Sequence, residues 1–253
     1  MDTGRKLPRN ANYMDHLPLA ITSKSKRRIY FPVNGQTFTS TGNNIIRIDI
    51  SGDSFWDTKN SYLQFRFINN SGQTCGLDFG TGHGFIKRLR VEQSGNVLTD
   101  CNNYNKLMSS ILLPCQGDRD SVRSRSITDN ASFGNDKANG QFFDFAPNTD
   151  VSGATVTTPT SGNQTYVNNA AGAIPTAGSF STFCIPLVNG LVGLNQQKMI
   201  PLQLLGSSPV TIEIELAPLL DIGIFAAAPA GDYEIDTVRY VAQMVETPPE
   251  LDQ

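Results

Sequence analysis

Residues 180–216 read FSTFCIPLVNGLVGLNQQKMIPLQLLGSSPVTIEIEL, and this stretch decides the fold class. Its last part alternates between apolar residues (Val210, Ile212, Ile214, Leu216) and polar ones (Thr211, Glu213, Glu215). Successive side chains of a β-strand point to opposite faces, so the pattern predicts a strand with one buried and one solvated face. Pro186, Pro201 and Gly206 interrupt the preceding apolar runs, which is typical of short strands with tight breaks between them. We therefore predict an antiparallel all-β body.

The composition indicates a folded, loop-rich chain with a basic start. Of the 253 residues, 39 % are apolar, and 14 phenylalanines and 7 tyrosines supply bulk for a core. Residues 1–28 contain seven lysines and arginines against two aspartates, whereas the whole chain has a net charge of −3. A basic segment attached to an acidic body indicates that the segment has a role of its own.

Cysteine, histidine and carboxylate usage argues against a metal site and against an enzyme. The four cysteines, which form no CxxC pair, are Cys75, Cys101, Cys115 and Cys184. Their scatter favours a reducing compartment over a disulfide framework. The only histidines are His16 and His83, too few for a metal-binding cupin, so we predict no cofactor and no catalytic residues. Glu213 and Glu215 lie on the wet face of a strand, so solvated charge explains them better than a catalytic pair does.

Neither export nor phosphate binding is predicted. Polar residues follow Met1, so we expect no secretory signal, and no apolar run approaches the roughly 20 residues of a membrane span. Residues 80–84, Gly-Thr-Gly-His-Gly, precede a strand and not a helix, so the helix N-terminus that holds a phosphate is missing. We expect a plain loop there, with His83 lacking a partner.

The order of patterns predicts one domain with an arm and a tail. Residues 1–42 are basic and interrupted by prolines, and we predict an extended N-terminal arm. Residues 43–247 form the β domain, and its 116–178 segment, rich in small polar residues, is predicted as a long surface loop. Residues 248–253 begin with two prolines and suit a tail, or a linker into something further.

Local patterns place the main elements of the β domain. Residues 62–68 alternate as a strand, and residues 55–61, which contain the only tryptophan, are predicted as a polar turn before it. Apolar residues at helical spacing then predict a single helix that Asp100 or Asn102 caps and Pro114 ends. The stripe that we expect to pack in the core comprises Tyr104, Leu107, Met108, Ile111 and Leu112.

Eight antiparallel strands, one short helix and a long inserted surface loop describe a jelly-roll sandwich. Four parts of the sequence resemble double jelly-roll major capsid proteins of eukaryotic DNA viruses, of the Polinton, adintovirus and virophage kind. These parts are residues 54–67, residues 85–95, residues 185–191 with 199–205, and residues 233–245. The resemblance spans most of residues 43–247 and lies in pattern and order. This chain departs from the double jelly-roll proteins in one respect, because its 253 residues hold only one jelly roll. The chain is therefore either a single jelly roll or the first half of a longer product.

The resemblance implies a structural capsid subunit that assembles into an icosahedral shell in the virion, after synthesis in the host cytoplasm or nucleus. The expected partners are other capsid subunits in a homotrimer. The long loop would face outward, and the arm would contact neighbouring subunits, nucleic acid or an inner membrane. The arm residues expected to make these contacts are Arg5, Lys6, Arg9, Lys24, Lys26, Arg27 and Arg28. The alternative is a penton, minor capsid or spike-like jelly roll that binds a receptor or glycan.

Overall fold

The computed structural model describes residues 23–73, 75–77, 81–116, 145–146, 165–166, 173–174, 180–193, 198–205, 208–225 and 228–246. Its strands are β1 (Lys24–Tyr30), β2 (Phe38–Thr39), β3 (Ile45–Ile50), β4 (Phe55–Asn70), β5 (Cys75–Leu77), β6 (Ile86–Gln93), β7 (Asn96–Asn102), β8 (Phe145–Ala146), β9 (Thr165–Tyr166), β10 (Ala173–Ile174), β11 (Phe180–Ile185), β12 (Ile200–Pro201), β13 (Val210–Leu216), β14 (Gly223–Phe225) and β15 (Asp232–Glu246). One helical segment runs through Tyr104–Leu107, Met108–Leu112 and Leu113–Gln116. Short 3₁₀ turns lie at Thr81–Phe85, Leu202–Leu205 and Leu219–Asp221.

The strand order identifies the jelly roll directly. Among the described residues, the strands of six or more residues pair antiparallel from the outside inward: β1 with β15, β3 with β13, β4 with β11, and β6 with β7. The pairs β15–β4 and β13–β6 then join them into two sheets, ordered β1-β15-β4-β11 and β3-β13-β6-β7. This is one long antiparallel hairpin folded over on itself, which is how a jelly roll is built. The predicted all-β antiparallel jelly-roll sandwich is therefore confirmed.

The two sheets, named here the β4 sheet and the β13 sheet, enclose one apolar core. The alternation that predicted strand β13 holds, because Ile212 and Ile214 are fully buried. In β4, Leu63, Phe65 and Phe67 are likewise buried, as their spacing predicts. One face of each strand therefore supplies the core, and the opposite face remains available for other contacts.

The basic N-terminal segment extends into the sandwich, which corrects the predicted arm. Lys24–Tyr30 pairs with β15 along its whole length, from Lys24 opposite Glu246 to Tyr30 opposite Tyr240. The Tyr30 ring packs against the core, and its hydroxyl donates to the Ser51 carbonyl oxygen at 2.6 Å. The alternation of Ile29, Tyr30 and Phe31 fits a half-buried edge strand, a pattern masked by the flanking lysines and arginines. Residues 1–22 lie outside the described part, so an arm there stays a prediction.

The predicted polar turn at residues 55–61 is instead part of β4. Trp56 is fully buried, and its indole N–H donates to Ser61 Oγ at 3.2 Å. The polar residues are accommodated by a bulge, because the pairing with β15 jumps from Tyr62 to Asp57. Ser61 holds the bulge by donating to the Asp57 carbonyl (2.6 Å) and accepting the Gln243 N–H (3.0 Å). Polarity predicted a turn, whereas a bulge keeps the strand continuous.

The helix exists, although its inward face differs from the predicted stripe. Its middle part, Met108–Leu112, is a π-helix, which shifts the side chains that follow. Ile111 is consequently 54 % exposed, and Leu113 is buried instead. Asp100 lies in β7 and caps nothing, and the backbone stays helical beyond Pro114 to Gln116.

Most of the predicted surface loop at residues 116–178 lies outside the described residues. Within it, β8 pairs with β9, and β10 joins β5 and β14 in a three-stranded sheet. Residues 248–253 also lie outside the described part. No helix among the described residues is long and apolar enough to cross a membrane.

Candidate assembly surface

The solvent-facing side of the β4 sheet, called here the outer face, carries a row of apolar side chains among polar ones. Ile29, Val241 and Tyr62 lie in register across β1, β15 and β4. Val241 is buried although it lies outside the core cluster. Such rows of apolar neighbours are the usual unit of packing on a sheet.

Two phenylalanines stand on opposite sides of this outer face. Phe31, just after β1, is 65 % exposed, and Phe180, at the start of β11, is 64 % exposed. Each borders a cleft: the Phe31 cleft has a volume of about 340 Å³ and the Phe180 cleft about 240 Å³. Aromatic side chains beside clefts are typical of surfaces that another protein covers.

A bulge in β15 separates the two clefts. Thr237 lines both clefts and has φ +51°, a conformation that β-branched residues rarely adopt. The pairing of β15 with β4 shifts here, between Asp236 and Arg239. The Thr237 hydroxyl donates to Asp236 Oδ1 at 3.0 Å, which stabilises the bulge. Bulges re-aim the side chains around them, and this one places Asp236 and Arg239 at the two clefts.

Asp236 and Arg66 form an ion pair across β15 and β4. Arg66 Nε donates to Asp236 Oδ1 at 2.7 Å, and Arg66 Nη2 bonds to Oδ2. The hydrogen bond from Arg66 holds the pKa of the Asp236 carboxyl below its usual value, against a smaller opposing effect of burial. The Arg66 guanidinium also lies 5.4 Å from the centre of the Phe180 ring, so it forms one wall of the Phe180 cleft.

The outer face of the β13 sheet has a different character, because ion pairs cover it. Glu213 is only 9 % exposed and lies between Arg47 (2.7 Å) and Arg90 (3.8 Å). Lys87 pairs with Glu215 at 2.8 Å. The prediction of freely solvated charge is therefore wrong for Glu213, since the arginines come from strands distant in sequence. The charges on this sheet largely satisfy one another.

The predicted arm residues that the structure describes lie on β1 and contact the body. Lys26 pairs with Glu246, Arg28 with Asp53 (3.4 Å), and Arg27 Nε donates to Gln243 Oε1 (3.4 Å). Lys24 occupies the start of the strand. Arg5, Lys6 and Arg9 lie outside the described residues. The basic edge thus contributes to the fold, and a role of these cations in assembly stays a proposal.

His83 is not the loop residue without a partner that the sequence predicts. It is 3 % exposed, and its Nδ1 lies 3.0 Å from the Tyr104 hydroxyl. The same hydroxyl accepts the Val188 N–H at 3.1 Å. Burial raises the pKa of the Tyr104 hydroxyl, which therefore stays protonated. Tyr104 thus joins the helix to two connecting segments, a link that sequence spacing gives no sign of.

Replacing Tyr104 with phenylalanine is expected to lower the free energy of unfolding by about 1–3 kcal/mol, because the partly buried Val188 N–H and the buried His83 ring both lose their hydrogen-bond partner. Urea denaturation followed by tryptophan fluorescence measures this change. Tyr62→Phe is the matched control, since the Tyr62 hydroxyl makes no hydrogen bond within the described residues. Equal stability of both variants would show that the buried bond contributes nothing.

The described residues include no group of three or more side chains suited to hold a metal ion. The cysteines among them are free thiols. Burial raises the pKa of the Cys75 thiol to about 12, so it remains protonated and unreactive at neutral pH.

No family model matches this chain, and neither does any curated protein sequence. Solved structures of viral capsid proteins do match. PBCV-1 VP54, fitted into a reconstruction of the virophage Sputnik, is 14 % identical over 91 % of this chain and 44 % of its own, with a TM-score of 0.48. The Faustovirus major capsid protein (10 % identity, 94 % and 56 % covered) and the mavirus major capsid protein (14 %, 100 % and 54 %) both have TM-scores of 0.42. The chain spans about half the length of these structures.

Proposed function

We propose that this chain is a structural subunit of a viral capsid and supplies one jelly roll to an icosahedral shell in the virion. The observation that carries the proposal is the outer face of the β4 sheet, where Phe31 and Phe180 are about two-thirds exposed beside clefts. Exposed aromatic side chains beside clefts on a rigid sheet are typical of surfaces that another protein covers. On that basis we extend to this chain the role of major capsid protein, which is the name of the matching Faustovirus and mavirus structures.

Other copies of the chain are the proposed partners. Two antiparallel sheets around one apolar core give a stiff block, and in the double jelly-roll lineage such blocks stand side by side in trimeric capsomers. We propose a trimer with the outer face at the contact between blocks. Residues 1–22, which carry Arg5, Lys6 and Arg9 against two aspartates, would lie beneath, in contact with neighbouring subunits, nucleic acid or an inner membrane.

Replacing both Phe31 and Phe180 with serine is expected to abolish assembly while leaving the fold intact, because neither ring lies in the core. Sedimentation velocity and negative-stain electron microscopy of the purified chain measure oligomers and shells. Leu220→Ser is the matched control, since Leu220 is equally exposed but lies between β13 and β15, outside both clefts. The control variant should assemble like the unaltered chain.

Two results would count against this function. Normal shells from the Phe31/Phe180 variant would show that the outer face is not the contact between subunits. An unaltered chain that stays monomeric and retains a glycan on an array would favour the alternative of a penton, minor capsid or spike-like binding module.

A further inference from the structure

Arg239 differs from the other described arginines in lacking a partner. Arg28, Arg47, Arg66, Arg88 and Arg90 each form an ion pair with a carboxylate. Arg27 donates to Gln243. The Arg239 side chain makes no ion pair or hydrogen bond within the described residues, and its Nε is buried without an acceptor. A partly desolvated cation of this kind is unfavourable unless an anion completes it.

Arg239 lies in the Phe180 cleft in the middle of the outer face. It follows the β15 bulge and is in register with Gln64 of β4, which in turn is in register with Cys184 of β11. Gln64, Arg66, Phe180 and Thr182 line the same cleft. Its volume of about 240 Å³ equals that of roughly eight water molecules, which suits one acidic side chain.

The walls of the cleft select for a carboxylate. The planar guanidinium fork matches the two oxygens of a carboxylate, and Gln64 and Thr182 offer further donors. Asp236 already neutralises Arg66 at the edge of the cleft, so its negative charge disfavours a dianion such as a phosphate. Phe180 gives the opposite wall an apolar surface that fits the methylene groups of an aspartate or glutamate.

We propose that the Phe180 cleft binds a carboxylate side chain from a neighbouring copy of this chain. Arg239 is the residue of the cleft that contacts this carboxylate. The choice of a neighbouring copy rests on the proposed function and on the position of the Phe180 cleft, because Thr237 lines both this cleft and the Phe31 cleft beside it on the same outer face. A free acid would leave Phe31 and most of the outer face uncovered, whereas another subunit covers cleft and aromatic residues together. The contact therefore sets the register between adjacent jelly rolls.

The cleft itself is tested on the unassembled chain with propionate as the probe. We expect the arginine Nε–H signal that disappears in Arg239→Lys to shift in a saturable manner, and to stay in place when sodium chloride is added at equal ionic strength. Cys184 gives a second readout: burial raises the pKa of its thiol, and the nearby Arg239 charge opposes that effect. Propionate should therefore slow the alkylation of Cys184 by iodoacetamide, and the effect should vanish in Arg239→Gln.

The source of the carboxylate is tested by association. Arg239→Gln should lower the association constant about tenfold or more, whereas Lys106→Gln, which removes the same charge from an exposed helix residue outside the β4 sheet, should leave it nearly unchanged. A saturable propionate response with normal association of Arg239→Gln would overturn the neighbouring copy as the source. Absence of any propionate response would overturn the site itself. Failure of the unaltered chain to assemble would instead contradict the capsid function, since the propionate titration does not depend on assembly.

Discussion

Replacing Phe85 with alanine is expected to lower the free energy of unfolding by about 3–5 kcal/mol, one of the largest effects available in this chain. Phe85 is fully buried and comes directly before β6 of the β13 sheet. Its ring centre lies between 4.8 and 5.7 Å from the rings of four residues of the opposite sheet: Phe67, Phe183, Phe65 and Tyr233. The substitution leaves a cavity between the two sheets, where neighbouring rings cannot close it without moving a sheet. Urea denaturation measures the change.

Phe180→Ala is the matched control for Phe85→Ala. It removes the same ring from an exposed position that contributes to the outer face and not to the core. We expect its unfolding midpoint to change little while its assembly is impaired. A Phe85→Ala protein as stable as Phe180→Ala would contradict the view that these aromatic contacts hold the two sheets together.

Deletion of residues 1–33 is expected to unfold or strongly destabilise the domain, because it removes edge strand β1. The deletion removes the backbone hydrogen bonds between β1 and β15, each of which contributes about 0.5–1.5 kcal/mol to stability. It also uncovers the surface against which Tyr30 packs. The ion pairs of Lys26 with Glu246 and of Arg28 with Asp53 are lost as well. Circular dichroism and urea denaturation measure the outcome.

The matched deletion removes residues 1–22, which end immediately before the described residues. We expect that protein to keep the full unfolding midpoint, so that any loss of assembly is attributable to residues 1–22 alone. If deletion of residues 1–33 left the unfolding midpoint unchanged, β1 would be dispensable, and the whole of residues 1–33 would behave as the arm that the sequence predicts.

Strict alternation of apolar and polar residues made the strands predictable, because the two-residue period of strand side chains matches the alternation of buried and exposed positions. Residues 62–68 and 210–216 bury the predicted faces because each strand has one core side and one outer side. Prediction failed where a strand departs from regular pairing. The bulge near Ser61 and the positive φ of Thr237 depend on the partner strand, which local sequence does not identify.

The surface features were harder to predict than the fold. Lys24–Tyr30 looks like a free basic segment until β15, more than 200 residues later, pairs with it. The sequence predicts a solvated Glu213, whereas in the structure Arg47 and Arg90 of two other strands form ion pairs with it. The sequence predicts no partner for His83, whereas in the structure its ring lies within hydrogen-bond distance of the Tyr104 hydroxyl. Each of these contacts joins distant parts of the chain, so spacing within one segment carries no record of it.

The sequence by itself determined the antiparallel sandwich, because alternation of polar and apolar residues is a local property that every strand must satisfy alone. Only the tertiary structure decided which strands pair, and hence the jelly-roll order and the outer face with its two clefts. Pairing depends on contacts between residues far apart in the chain, and the free Arg239 on that face becomes recognisable only once every other described arginine has found its partner.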